Sequence, residues 1–202
     1  MNDLNSLMKN RRSIRTFTNE PIPVDVTNKI LSAAYFAPSA AKRYGFQIVV
    51  VDDSLLKDQI KTVCEQGERT WVHSRPNEVK DSILQLPGFS FQKNFLTDAP
   101  VLLIITTNPN IPNIPYPIES CWLAIAYMIL EIENSGLGTL TYTPSICLTN
   151  RRLELNEVLK IPKDEHIQVI LPLGYYAAKP EHKEVHFERK IHHNTYGTPY
   201  NK

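Results

Sequence analysis

Apolar positions along the chain recur at helical spacing in some stretches and as short extended runs in others, and the two patterns alternate almost to the end. Leu4, Leu7 and Met8 share one face of a first helix that Asp3 can cap and that ends in the basic run Arg11 to Arg15. After Pro21 and Pro23, the positions Val26, Ile30, Ala33 and Ala34 predict a second helix, which Pro38 stops. Gln47 to Asp52 reads as a strand, and Ser54 as the cap of a helix whose apolar face is Leu56, Ile60 and Val63. Between Gly67 and Phe95 the period weakens around Trp71, Pro76, Pro87 and Gly88, which predicts a cover or lid over a pocket.

Val101 to Thr106 is a continuous apolar run, as a strand covered on both faces requires, and the proline-rich segment from Pro109 to Pro117 must be a loop. Ile118 to Ser135 is a long helix, apolar nearly all round, with Gly136 placed as its C-terminal cap. Such a helix belongs at the centre of a fold or of a dimer interface. Asn150 can cap a short helix carrying Leu153, Val158 and Leu159, and Ile167 to Leu173 is a further buried strand ending at Gly174. The tail from Ala177 to Lys202 is polar and aperiodic, so it frays or lies on another surface, a partner subunit being one candidate.

A chain of 202 residues is expected to form one domain with a substantial core. A net charge of +1 supplies no bulk field for nucleic acid or an anionic membrane, so phosphate binding must come from a local cluster. Cys64, Cys121 and Cys147 are odd in number and widely spaced, against a disulfide framework or paired zinc ligands, and they fit a reducing cytoplasm. Met1 to Asn10 does not read as a signal peptide, and the apolar stretch Cys121 to Leu130 is too short for a membrane span of about 20 residues. The histidines lack the spacing of a helical metal site except for His182 and His186 in the tail, so no metal is expected.

If Arg11 to Arg15 is extended, alternation puts Arg11, Ser13 and Arg15 on one face, with Arg12 and Ile14 on the other. Two forked guanidiniums and a hydroxyl make a phosphate grip, though a solvated basic turn has the same composition. Ala37-Pro38-Ser39-Ala40-Ala41-Lys42 ends a helix in small residues that let a flat ligand approach the backbone. Gly136 to Pro144 follows the long helix, and Thr139, Thr141 and Thr143 alternate along it, as they also would in an ordinary edge strand.

Together these segments resemble the nitroreductase family. Its Arg-Arg-Ser-x-Arg opening is matched by Arg11 to Arg15, and its Ala-Pro-Ser-Ala by Ala37 to Ala40. Its Asp-Ala-Pro strand start is matched by Asp98 to Pro100, its Gly-Leu-Gly-Thr by Gly136 to Thr139, and its Pro-x-Gly-Tyr by Pro172 to Tyr175. The resemblance implies an α+β fold, a three-layer α/β/α sandwich with a mixed central sheet, over residues 1–202, with 177–202 an extension on the partner of a homodimer. It implies FMN as cofactor, the phosphate held by Arg11, Ser13 and Arg15 with Arg12 in the same signature. The ring would lie against Pro38, Ser39 and Ala40, and the strand Thr141, Tyr142 and Thr143 would face its reactive edge, Thr143 hydrogen-bonding it. A basic tail residue would complete the phosphate site, Lys183 or alternatively Arg189.

Where the family reads Asn-x-Gln-Pro-Trp, this chain has Lys42-Arg43-Tyr44-Gly45-Phe46, and Lys42 either places a positive charge near the flavin pyrimidine or points to solvent. Thr139 to Pro144 also resembles the flavin-edge strand of the iodotyrosine deiodinase branch, and Lys93 lies where that branch keeps a substrate-gripping lysine. That branch's lid also uses a tyrosine and a glutamate. No tyrosine occurs between Tyr44 and Tyr116, and Glu65 and Glu68 read as a solvated helix face. The expectation is therefore a ping-pong NAD(P)H oxidoreductase acting on a small acceptor such as a nitroaromatic or quinone. Reductive dehalogenation and non-catalytic flavin binding stay as alternatives. No separate dinucleotide motif is present, so NAD(P)H would have to meet the flavin directly.

Overall fold

A computed structural model describes residues 3–86, 89–144, 147, 152–181 and 191–200. Its elements are α1 (Leu4–Asn10), α2 (Val24–Ala33), β1 (Phe46–Val51), α3 (Ser54–His73), α4 (Asn77–Leu84), α5 (Phe95–Asp98), β2 (Val101–Thr107), α6 (Pro117–Asn134), α7 (Arg152–Leu159) and β3 (His166–Leu173). The strands pair antiparallel in the order β1-β2-β3. Single bridges extend the sheet past β3: Gly138 and Tyr142 pair antiparallel with Gly174 and Ile170, and Ser13 pairs parallel with Thr139, which makes the sheet mixed.

β2 is apolar from Val101 to Ile105 because both of its faces are covered. Leu103 and Ile105 face a cluster with Ile30, Ile125, Met128 and Ile132 of α2 and α6. Leu102 and Ile104 face the opposite cluster, with Ile60 and Cys64 of α3, Phe95 of α5 and Leu155 of α7. Helix, sheet and helix thus form the expected three layers. Ile167 and Ile170 lie three apart in β3 yet share the second cluster, because the register shifts between Ile105 and Thr106 and Gln168 drops out of the pairing.

The ends of α6 are fixed locally. Pro117 starts it, with no amide hydrogen to waste. Gly136 closes it at φ +73°, while the Leu137 and Gly136 amides donate to Ile132 O and Glu133 O. One reading from the sequence is corrected here, and another gains detail. The cap of α3 is Asp53, whose carboxylate accepts from the Leu56 amide at 2.7 Å, not Ser54. The stretch after Gly67 is mostly helical: α3 runs on to His73, and α4 follows it. Its period was hidden because the inward positions there are Cys64, Gly67, Glu68 and Val72, half of which do not read as apolar. Asn150, proposed as the cap of α7, lies outside the described residues.

Not all of α6 is buried. Trp122, Leu123 and Tyr127 stand 38%, 44% and 41% exposed, and α1, which packs on α6, leaves Leu4 and Met8 more than half exposed. Both helices thus carry exposed apolar side chains. None of the described helices is long and apolar enough to cross a membrane.

Candidate functional site

The segment after α1 is extended, and Ile14 anchors it. Ile14 is 2% exposed, its amide donates to Thr139 O at 2.9 Å, and it packs flat on Gly138, where an added Cβ would lie 2.6 Å from Ile14 Cγ1. Alternation about the buried Ile14 would set Ser13 and Arg15, with Arg11, on the other side. Arg11 is half-buried; burial lowers its pKa, opposed by nearby Glu133 and assisted by Arg15 and Arg12. Its Nε is sealed from solvent with no hydrogen-bond partner among the described residues. Arg12 has another task. Its guanidinium donates to Lys9 O and Arg11 O, each at 2.6 Å, and to Glu181 O at 3.1 Å, tying the end of α1 to the start of the tail. Its Nε and Nη1 therefore hold carbonyls rather than facing the expected phosphate site.

The strand after Gly138 is pinned by Tyr142, whose amide and carbonyl both bond to Ile170, at 3.0 and 2.8 Å. Thr141 and Thr143 are exposed on one side, while Thr139 and Tyr142 turn inward. Tyr142 therefore contributes backbone to the edge and its ring to the core, against Phe95 at 5.1 Å. Thr141 to Thr143 form one wall of a cleft of about 510 Å³ that also contains Arg15, Glu68 and Lys93. Lys93 Nζ pairs with Glu68 at 2.6 Å, with the two side chains only 8% and 12% exposed. Lys93 also has its amide on Glu65 Oε1 at 2.7 Å, its ammonium on Ser90 O, and the Phe89 ring 5.4 Å from its Nζ. Glu68 is thus no solvated helix charge. It was missed because its partner lies far along the chain, beyond any helical period.

The thiols are shielded by burial, Cys64 and Cys147 in the cluster behind this wall and Cys121 in the cluster on the other face of the sheet. Burial, then Cys147, raises the Cys64 pKa; burial pushes Cys147 up to about 11 and Cys121 up to about 12. Thiols held this high are poor nucleophiles.

Pro38 to Lys42 lies elsewhere. The Ala40 amide donates to Ser120 Oγ at 3.3 Å, at the N-terminal end of α6. Arg11 and Ser13, by contrast, sit by Glu133 and Thr139, at and just past its C-terminal end. At 1.5 Å per residue the helix separates Ser120 from Ser135 by roughly 22 Å. The structure does not bring the two parts of the expected flavin site together within one chain. Each part is nonetheless poised for a ligand. Ser39 Oγ is buried without a partner among the described residues, and Lys42 is exposed at φ 55°, a left-handed conformation that costs a lysine energy. Lys183 and Arg189 lie outside the described residues.

The donor set suits a flavin mononucleotide. An unpaired guanidinium nitrogen, the Ser13 hydroxyl and Arg15 match a phosphate dianion, and the exposed Thr141–Thr143 edge beside a cleft matches a flat, hydrogen-bonding ring.

The model of the nitroreductase family matches residues 8–175. An iodotyrosine deiodinase of Thermotoga neapolitana is 33% identical, over 97% of this chain and all of that protein. A solved structure of oxidized iodotyrosine deiodinase bound to FMN and 3-iodo-L-tyrosine superposes with a TM-score of 0.81 at 32% identity, covering 96% of this chain and all of that one. An FMN-dependent nitroreductase from Clostridium difficile R20291 has the same fold, with a TM-score of 0.74 at 22% identity over 95% and 99% of the two chains.

Proposed function

This chain belongs to the nitroreductase family, and from that premise we propose that it is an FMN-dependent reductase that acts on a halogenated aromatic amino acid of the iodotyrosine type. Arg11, Ser13 and Arg15 would hold the phosphate, and Thr141 to Thr143 would face the ring. FMN held there would supply the two-electron redox chemistry linking NAD(P)H to an acceptor. The observation that carries the substrate is the Lys93–Glu68 pair, buried at 2.6 Å in the cleft beside Thr141. A buried ion pair contributes little to stability by itself, but its two members match the carboxylate and ammonium of an amino-acid zwitterion.

The separation of Pro38–Lys42 from Arg11–Arg15 along α6 supports a homodimer in which each flavin lies between the Arg11 segment of one chain and the Ser39 segment of its partner. The apolar face of α1 and α6 would be the contact, the tail beyond Ala177 would lie on the partner, and Lys42 would meet the ring from across the interface. Free buried thiols suit a reducing, cytoplasmic compartment.

One observation favours a second reading. The absence of tyrosine between Tyr44 and Tyr116 leaves the amino-acid grip without a phenol in the lid, as suits a nitroaromatic or quinone acceptor. Purified protein should be yellow, release FMN on heating, and bleach anaerobically with NADH or NADPH. Reoxidation of the bleached enzyme by 3-iodo-L-tyrosine with release of one iodide per molecule supports the first reading. Reoxidation by nitroaromatics or quinones alone supports the second, and protein that never bleaches removes both.

A further inference from the structure

The Tyr142 phenol is buried where the cleft wall meets the core. Its ring is fixed edge-on to Phe95 at 5.1 Å, and both backbone bonds to Ile170 hold its main chain, so the side chain has little freedom to turn away. Its hydroxyl is sealed from solvent and, apart from the weakly bonding Cys64 thiol, has no hydrogen-bond partner among the described residues. A phenylalanine would fill the same space without burying an unpaired polar group, so the hydroxyl costs stability in the ligand-free chain. Such a cost is characteristic of a functional position.

Cys64 and Glu68 are one turn apart on α3: the Cys64 thiol is a weak hydrogen-bonding contact of the phenol, and Glu68 lies within electrostatic reach of it. Burial first, then these two groups, keep the phenol protonated and therefore a donor. Of the two neighbours, the carboxylate is the strong acceptor. Glu68 is engaged by Lys93, and Tyr142, Glu68 and Lys93 all line the same cleft.

We propose that Tyr142 is a positioning residue for Glu68: a ligand ammonium entering the cleft draws Glu68 off Lys93, and the Tyr142 hydroxyl then holds the displaced carboxylate. Lys93 is released for the ligand's carboxylate, so one internal ion pair is exchanged for two intermolecular ones without change of net charge. This rests on the amino-acid reading of the cleft, and it assigns to the strand the phenol that the lid lacks.

The test uses FMN-loaded protein titrated with 3-iodo-L-tyrosine and followed by the flavin absorbance, in wild type, Tyr142→Phe, Glu68→Gln and the double variant. The hydroxyl removed by Tyr142→Phe should weaken iodotyrosine binding on the order of 10-fold, as loss of a hydrogen bond to a charged group does. Affinity for FMN and for the analogue lacking the amino group should stay as in wild type, and the melting temperature should not fall. In the Glu68→Gln background the Tyr142 change should have no further effect. Equal affinity in wild type and Tyr142→Phe, an equal loss for the des-amino analogue, or a lowered melting temperature would each overturn the proposal. Wild type that binds FMN but not iodotyrosine removes the amino-acid reading and this proposal together; wild type that binds, with an unaffected Tyr142→Phe, removes the proposal alone.

Discussion

Half-buried beside Glu133, Arg12 and Arg15, the Arg11 guanidinium has lost hydration that an anion can replace, and its Nε still lacks a partner among the described residues. Replacing it should therefore act on the cofactor more than on the fold. Arg11→Met is expected to weaken FMN binding by about 10-fold to 100-fold, read from flavin fluorescence, with little change in melting temperature. Lys42 should respond in the opposite sense. Its φ of 55° suits asparagine better than lysine, so Lys42→Asn should raise stability by up to about 1 kcal/mol in thermal melts. At this scale the sequence was readable wherever chemistry repeats locally: the alternation of Arg11, Ser13 and Arg15 is a period of two, and Ile14 supplies its buried counterpart. Glu68 was unreadable for the converse reason, since only the folded chain shows that Lys93 comes back to it. Arg12 looks identical to its neighbours in the sequence and is separated from them only by the carbonyls it meets.

Among the elements, the strand from Gly138 to Pro144 does the most positioning, because it touches β3 on one side and the Arg11 segment on the other. The contact with the Arg11 segment leaves no room for a side chain at residue 138. Gly138→Ala would place a Cβ 2.6 Å from Ile14 Cγ1 and push the Arg11 segment, the proposed phosphate grip, away. A destabilisation of about 1–3 kcal/mol by chemical denaturation is expected, with a loss of FMN affinity larger than any single threonine change on the same strand produces. The long helix α6 was legible at both ends, since Pro117 and Gly136 are unambiguous stops. The second half of α3 was not, because a glycine and a glutamate occupy inward-facing positions and break the apolar count. Helix continuity there comes from packing against the cleft, a fact available only in three dimensions.

For the whole molecule, the decisive geometry is that one chain holds the two proposed parts of a flavin site at opposite ends of α6. Their identities were legible as motifs, but their separation was not, since sequence order carries no information about which copy a motif serves. The exposed Trp122, Leu123 and Tyr127 give the proposed dimer a handle. Tyr127→Glu should convert dimers to monomers in sedimentation and abolish FMN retention in the same step, although residue 127 touches no expected flavin atom. The arrangement along α6 also has a genetic consequence. A chain damaged at Arg11 and a chain damaged at Ser39 and Lys42 would each be inactive alone, yet when co-expressed their mixed dimer would carry both lesions in one pocket and none in the other. Two null alleles should then complement, with mixed dimers isolated by a pair of different affinity tags binding one flavin apiece.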